Sequence, residues 1–315
     1  MKGVLDYEHG ICAVDAVYDR EMQTAVHLIV DKGRAVIVDS ATTPAVPRVF
    51  AALAARGVSP DQVDHVILTH VHLDHAGGAG ALLAQCPNAT VTVHPRGARH
   101  VIDPARLVAA TVEIYGEAHT RRIYGEVIPV AAERVMQTPD EATLRWQGRE
   151  FLFLDAPGHA RHHVVVRDSA SGHFFAGDTF GLSYRELDVG ARQFSFPTTS
   201  PVQFEPAALH ASIERLMSFR PEALYVTHFG QVRDAERLSA DLHRLIDDHA
   251  ELGERHRSAG PERHAHLCRD ITTLVLAERE RQQWRLSAEE TLQVFALDIE
   301  LNAQGIAAWL DRNSA

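Results

Sequence analysis

The stretch Thr69-His70-Val71-His72-Leu73-Asp74-His75-Ala76-Gly77-Gly78 limits what this chain can fold into. It follows Val63 to Leu68, an apolar run that ends in Val-Ile-Leu and reads as a buried strand. It precedes Ala79 to Gln85, a short apolar stretch with helical character. Three imidazoles and a carboxylate therefore fall on a strand-to-helix turn, where side chains at i, i+2, i+4 and i+5 can converge. They are the ligand types expected for a borderline divalent ion. The bland alternative is a set of ordinary core or surface histidines. Packed together without a metal, these groups would need several partners, and the rings would repel when protonated. Gly77 and Gly78 let the backbone turn tightly and open the next helix.

Length fits one large domain, or one domain with an appendage: the chain has 315 residues, and single cores stop growing at roughly 250–300. No apolar run approaches the roughly 18 residues of a membrane helix, so no membrane partner is expected. The first residues, Met1 to Asp6, lack the apolar core of a signal segment. Cys12, Cys86 and Cys268 are far apart and odd in number, which excludes a disulfide framework or a CxxC pair. A cytoplasmic location is the expectation. The formal charge of −11 opposes a polyanion, because nucleic-acid binding rests on a basic footprint.

The chain around the turn alternates strands and helices. Ile11 to Val17, Ala25 to Val30 and Arg34 to Val38 read as strands, with Asp31-Lys32-Gly33 as a hairpin turn. Asp39 ends the third strand. Pro44 to Arg56 has helical spacing and Gly57 as its stop. Thr90 to His94 is a short strand, Arg106 to Tyr115 a helix, and Ala118 to Tyr124 a polar, mixed segment suited to a lid. Leu144 to Trp146 and Phe151 to Leu154 flank a Gly-containing turn. This order gives an α/β class.

Three more strands end in ligand types. Phe151 to Leu154 leads into Ala156-Pro157-Gly158-His159, His173 to Gly177 leads into Asp178, and Leu224 to Thr227 leads into His228. Strand ends gathered at one sheet edge hold a metal rigidly. Taken singly, each residue also reads as a cap or a turn former.

His-x-His-x-Asp-His after a strand, followed in order by His159, Asp178 and His228, resembles the signature of the metallo-β-lactamase superfamily. The resemblance covers residues 10–230 well and implies an αβ/βα sandwich with metals at one edge. It makes residues 1–230 the catalytic domain and 231–315 a helical C-terminal region. It implies two divalent ions, zinc first, with iron or manganese as alternatives. His70, His72 and His159 match the ligands of the first ion; Asp74, His75 and His228 match those of the second; Asp178 matches the carboxylate that bridges both. His72 separates the chain from the flavodiiron branch, which typically carries an acidic residue there. Asp39 resembles the aspartate that orients the metal site, and equally reads as a turn cap. His162 and His163 fit no ligand slot and read as a strand-start pair facing opposite sides.

The implied activity is metal-dependent hydrolysis of a small-molecule thioester, ester or lactone by a metal-bridged hydroxide, with Asp74 orienting the nucleophile or relaying its proton. Candidate substrate residues follow Asp178: Phe180, Tyr184, Arg185, Arg192 and Phe194. With Phe196 and Phe204 they form an aromatic segment broken by Gly181, Gly190, Pro197 and Pro201. Such a segment is a pocket wall, an interface, or a loop folded onto the core. Family lactonases place a tyrosine sooner after the bridging aspartate than Tyr184 stands here.

Pro206 to Phe219, Asp234 to Leu252, Glu262 to Trp284 and Ser287 to Leu310 read as helices, with a capping box at Ser287 to Glu290. The glyoxalase II branch also ends in helices, which help bind glutathione. Apolar faces on these helices are a candidate homodimer surface. His264, Ala265, His266 and Cys268 read as a solvated helix face, with a second metal site as the alternative. The rival functions are a mononuclear-iron persulfide dioxygenase of the same superfamily, a nuclease, and a non-catalytic metal-stabilised binding protein.

Overall fold

A seven-stranded sheet begins with a meander, as the alternating Val/Ile patterning predicts. In the computed structural model, which describes residues 2–199 and 203–313, the strands are β1 (Val4–Asp6), β2 (Ile11–Asp15), β3 (Ala25–Asp31), β4 (Arg34–Val38), β5 (Val63–Ile67), β6 (Thr90–Val93) and β7 (Val135–Gln137). They lie in sequence order across the sheet. The first four pair antiparallel, and β4 to β7 pair parallel. Lys32 and Gly33, at φ +48° and +74°, make the two-residue turn between β3 and β4, whose twist suits such a hairpin.

Parallel pairing needs crossovers. The helices α1 (Val46–Ala54), α2 (Leu73–Ala76) and α3 (Ala79–Gln85) supply them on either side of β5. Next come α4 (Pro95–Ile102), α5 (Ala105–Tyr115) and α6 (Glu117–Tyr124), before β7. The α4 helix was not anticipated; His94 caps it by accepting from the Arg96 N–H, with Pro95 at its first position. The segment read as a lid is the helix α6.

The second sheet has the order β13-β12-β11-β10-β9-β8. Its strands are β8 (Thr143–Trp146), β9 (Arg149–Asp155), β10 (Val164–Asp168), β11 (Phe174–Gly177), β12 (Ala223–Val226) and β13 (Gly230–Arg233). One face of each sheet meets the other in an apolar layer: Ile29, Val36, Val38 and Ile67 from the first pack with Phe151, Phe153, Val166 and Phe175 from the second. The opposite face of the first sheet is covered by Val49 and Leu53 of α1, Leu82 of α3 and Val101 of α4. These are two mixed sheets flanked by helices.

The remaining helices are α7 (Pro206–Met217), α8 (Ala235–Arg255), α9 (Arg263–Gln282), α10 (Ala288–Val294) and α11 (Ala296–Arg312). The span Ser287 to Leu310, expected as one helix, is two. Phe295 breaks it at φ −91°, ψ 4° and is fully buried. The capping box is present: Ser287 Oγ accepts from the Glu290 N–H, and the Glu290 carboxylate accepts from the Ser287 N–H.

Contacts divide the chain into two interleaved units. The first runs to Asp155 and takes in His162–Gly177 and Glu222–Gln231, so it contains nearly all of both sheets. The second takes in Ala156–Arg161, Asp178–Pro221 and the chain from Val232 onward. Pro201 lies outside the described residues. Among the described residues no helix is long and apolar enough to cross a membrane.

Candidate metal centre

In the first unit the turn after β5 delivers its ligand types as the spacing suggests. The chain leaves β5 through Thr69 and His70 and enters α2 at Leu73. Gly78 is required by close approach rather than by φ, because a Cβ there would sit 2.7 Å from Ser40 O and 2.9 Å from Thr42 O. His70 and His75 are fully buried.

Asp74 Oδ2 lies 3.5 Å from His75 Nε2 and 3.5 Å from His228 Nε2. A tetrahedral ion with bonds of about 2.0–2.1 Å holds its ligand atoms about 3.3 Å apart, so the three atoms have the spacing of a coordination shell. The far nitrogens of both imidazoles are held. His75 Nδ1 is 2.8 Å from Asp39 Oδ2, and His228 Nδ1 is 3.0 Å from Gln23 O. Such contacts fix the tautomer that aims Nε2 at a metal. His70 Nε2 approaches His72 Nδ1 at 2.9 Å, with the rings at 80°. Two ring nitrogens thus face one point from the first and third residues of the motif.

Asp39 is buried at the end of β4, at φ +57°. Besides His75 it accepts from the Thr69 N–H at 2.9 Å, from Thr69 Oγ1 at 3.0 Å and from Thr227 Oγ1 at 2.8 Å. Thr227 was missed by the sequence reading. The signal was present: a threonine directly precedes both His70 and His228, and both hydroxyls reach Asp39.

His162 and His163, expected on opposite sides of a strand start, both lie within stacking reach of His70, at 6.2 Å and 4.8 Å between ring centres. Gly177 leaves room for His163. At φ +50°, a Cβ on it would come 2.5 Å from His163 Nε2 and 2.8 Å from Thr69 Oγ1. Tyr18 and Tyr124, also missed, join their hydroxyls at 2.5 Å. Burial, and then the Asp74 carboxylate, hold both phenols well above their usual range.

In the second unit His159, fully buried, places Nε2 3.5 Å from Asp178 Oδ2. Its Nδ1 faces Thr198, 3.1 Å from Oγ1 and 3.2 Å from the carbonyl oxygen. Thr198 Oγ1 is also 3.4 Å from Asp178 Oδ2. The aromatic segment thus starts at the aspartate and returns to the same pair of side chains. Between those ends Phe180, Tyr184, Phe194 and Phe196 are buried. They stack beneath the C-terminal helices: Tyr184 and Phe196 meet Phe295, and Phe194 meets Trp284. The Tyr184 hydroxyl donates to the Asp298 carboxylate, 3.1 Å from either oxygen. Arg185 donates to Ser183 and pairs with Asp188, while Arg192 is exposed. Burial pushes the Asp188 carboxyl up to about 6, against the pull of Arg185.

The donor set fits divalent ions: imidazoles with their far nitrogens bound, and carboxylates at coordination spacing. Comparison with known proteins agrees. The model of the metallo-beta-lactamase superfamily matches residues 19–228. A hydroxyacylglutathione hydrolase of Stenotrophomonas maltophilia is 36% identical over 52% of this chain and 48% of its own length. One from Xanthomonas euvesicatoria is 30% identical over 62% of this chain and 56% of its own length. The chain therefore spans about half the length of these curated relatives. An archaeal metallo-beta-lactamase superfamily protein from Sulfolobus tokodaii has the same fold, with a TM-score of 0.63 at 19% identity, over 95% of this chain and 98% of that one. A metallo-beta-lactamase family protein from Thermus thermophilus aligns with a TM-score of 0.64 at 19% identity, over 97% and 94%. By fold and by the match across most of its sheets, the chain belongs to the metallo-beta-lactamase superfamily.

Proposed function

We propose that this protein is a dinuclear metal-dependent hydrolase that cleaves a small-molecule thioester, ester or lactone, with residues 1–230 carrying the chemistry. The observation that carries the reading is Asp74 Oδ2 set 3.5 Å from both His75 Nε2 and His228 Nε2, with the far side of each ring bound. In this reading His70, His72 and His159 would hold one divalent ion, Asp74, His75 and His228 would hold the other, and Asp178 would serve both. Covalent geometry supports the part given to Asp178: it is bonded to Gly177, which lies against Thr69, the neighbour of His70. When bound, the ions supply Lewis acidity and a water acidic enough to ionise near neutrality.

The chain's own residues do the rest. Asp74 uses Oδ2 toward the ligand imidazoles and keeps Oδ1 to take the proton of the attacking water. Asp39 locks the His75 ring so that its lone pair does not wander. The buried imidazoles keep bulk water away, which strengthens every charge interaction inside. Substrate choice is assigned to the segment between Asp178 and Thr198. Arg185 and Arg192 are its polar contacts, and Phe180, Tyr184 and Phe194 are its buried support. The relatives named hydroxyacylglutathione hydrolase favour a thioester. Zinc is the proposed metal, and three cysteines without disulfides suit the cytoplasm.

The deciding experiment is elemental analysis of protein purified without added metal, coupled to a thioester, ester and lactone panel. Stoichiometric metal with hydrolysis of one class supports the reading. Stoichiometric metal with no cleavage across the panel defeats it, and iron with oxygen uptake on glutathione persulfide would replace it with a dioxygenase.

A further inference from the structure

A second cluster of metal-ligand types lies in the second unit, on the helices of the C-terminal region. His264 and Cys268 are four residues apart in α9, one turn along a single face. Glu300 meets them from α11. His264 Nε2 lies 3.2 Å from Glu300 Oε2 and 3.5 Å from Cys268 Sγ. Cys268 Sγ lies 3.7 Å from Glu300 Oε2. One nitrogen, one sulfur and one carboxylate thus form a small triangle. We propose that His264, Cys268 and Glu300 bind a borderline divalent transition-metal ion of the zinc class, with solvent in the fourth position, which clamps α9 to α11.

Three observations argue for it. The first is the triangle's size. Bonds of about 2.3 Å to sulfur and about 2.0–2.2 Å to nitrogen or oxygen give tetrahedral edges of about 3.3–3.6 Å, and the three separations bracket these. The second is the donor set: thiolate, imidazole and carboxylate together suit zinc, cobalt or copper, and suit magnesium or calcium poorly. The third is access. His264 and Glu300 are 44% and 47% exposed, so an ion can enter, while Gln304 steadies the carboxylate by donating to Glu300 Oε1 at 2.8 Å. His266 takes no part, since it turns toward Glu262 and His256. Sequence spacing alone shows only the α9 half of this site, because Glu300 lies on another helix.

A metal takes the thiol as its thiolate, and a free thiol is protonated at neutral pH. Binding then replaces the S–H bond with a metal–sulfur bond and sends one proton to solvent for each ion. No oxidant or reductant is involved.

The inference stands apart from the hydrolase reading, and cobalt(II) separates the two. The His/Asp centre proposed above contains no thiol, so a thiolate-to-cobalt charge-transfer band reports on cysteine ligation alone. The full chain is dialysed against a chelator, refilled with cobalt(II), and scanned in the near ultraviolet. The expected result is such a band in the wild type and in the Cys12→Ser and Cys86→Ser variants. Cys268→Ser should abolish it, with one proton fewer released per chain and hydrolysis unchanged. Glu300→Gln keeps the thiol and should weaken cobalt binding by roughly tenfold or more. Far-ultraviolet circular dichroism confirms that each variant is folded. Absence of a thiolate band in the wild type, or a band that survives Cys268→Ser, overturns the proposal.

Discussion

Asp39, at the end of β4, joins groups from two other strand ends and a helix through one buried carboxylate: the Thr69 amide and hydroxyl after β5, the His75 ring of α2, and the Thr227 hydroxyl after β12. Replacing it with asparagine keeps the volume but puts an NH2 where a donor already points. Asp39→Asn should weaken divalent-ion retention by about 10–100-fold, read by competition with a coloured chelator. Retention equal to wild type would mean that Asp39 only caps its turn. Tyr184 belongs to the same scale. Its hydroxyl is committed to Asp298, so Tyr184→Phe should cost about 1.5–3 kcal/mol of stability, the worth of a hydrogen bond to a charged acceptor. Turnover should stay within about twofold, since an oxyanion role would cost about 2.7–4 kcal/mol of barrier. A larger fall in kcat would return the tyrosine to the chemistry.

Gly177 ends β11 and hands the chain to Asp178, with the His163 ring and the Thr69 hydroxyl where a side chain would be. Gly177→Ala should therefore destabilise by about 2 kcal/mol, from overpacking and left-handed strain together. It should also lower metal content. A folded variant with normal metal content would show that the strand end is free to adjust. Most strands were legible in the sequence because β2 to β6, β8, β9, β11 and β12 are short apolar runs bounded by turn formers. The ligand types were legible because each follows such a run. What stayed hidden depends on contacts between distant positions. The break at Phe295 exists because its ring fills a space among Tyr184, Phe194, Phe196 and Trp284, and nothing in Ser287 to Leu310 itself marks it. Tyr18 and Tyr124 lie 106 positions apart, and only the fold pairs them. His162 and His163 looked like alternating strand residues, whereas the neighbourhood of His70 gathers both.

For the whole molecule, two buried histidines set the acid limit. Burial presses His27 and His249 from 6.5 to about 4. Between those values the unfolded chain binds protons that the folded chain refuses. Stability is therefore full above about pH 6.5 and is lost as pH falls toward 4, by ~3 kcal/mol for each group. His249 donates through Nδ1 to Leu245 O at 2.7 Å and packs edge-on against Phe196. Unfolding midpoints measured from pH 7 down to 4.5 should fall, and should fall less steeply in His249→Gln. Parallel slopes would show that this ring makes no contribution. The aromatic packing around Phe295 also bears on ancestry. If a descendant shed its last three helices, no proposed ligand of the His/Asp centre would be deleted, yet Tyr184, Phe194 and Phe196 would face water where Phe295 and Trp284 had been. The aromatic segment after Asp178 and the tail are thus bound to be inherited together, and a chimera that borrows one from a cousin must borrow the other.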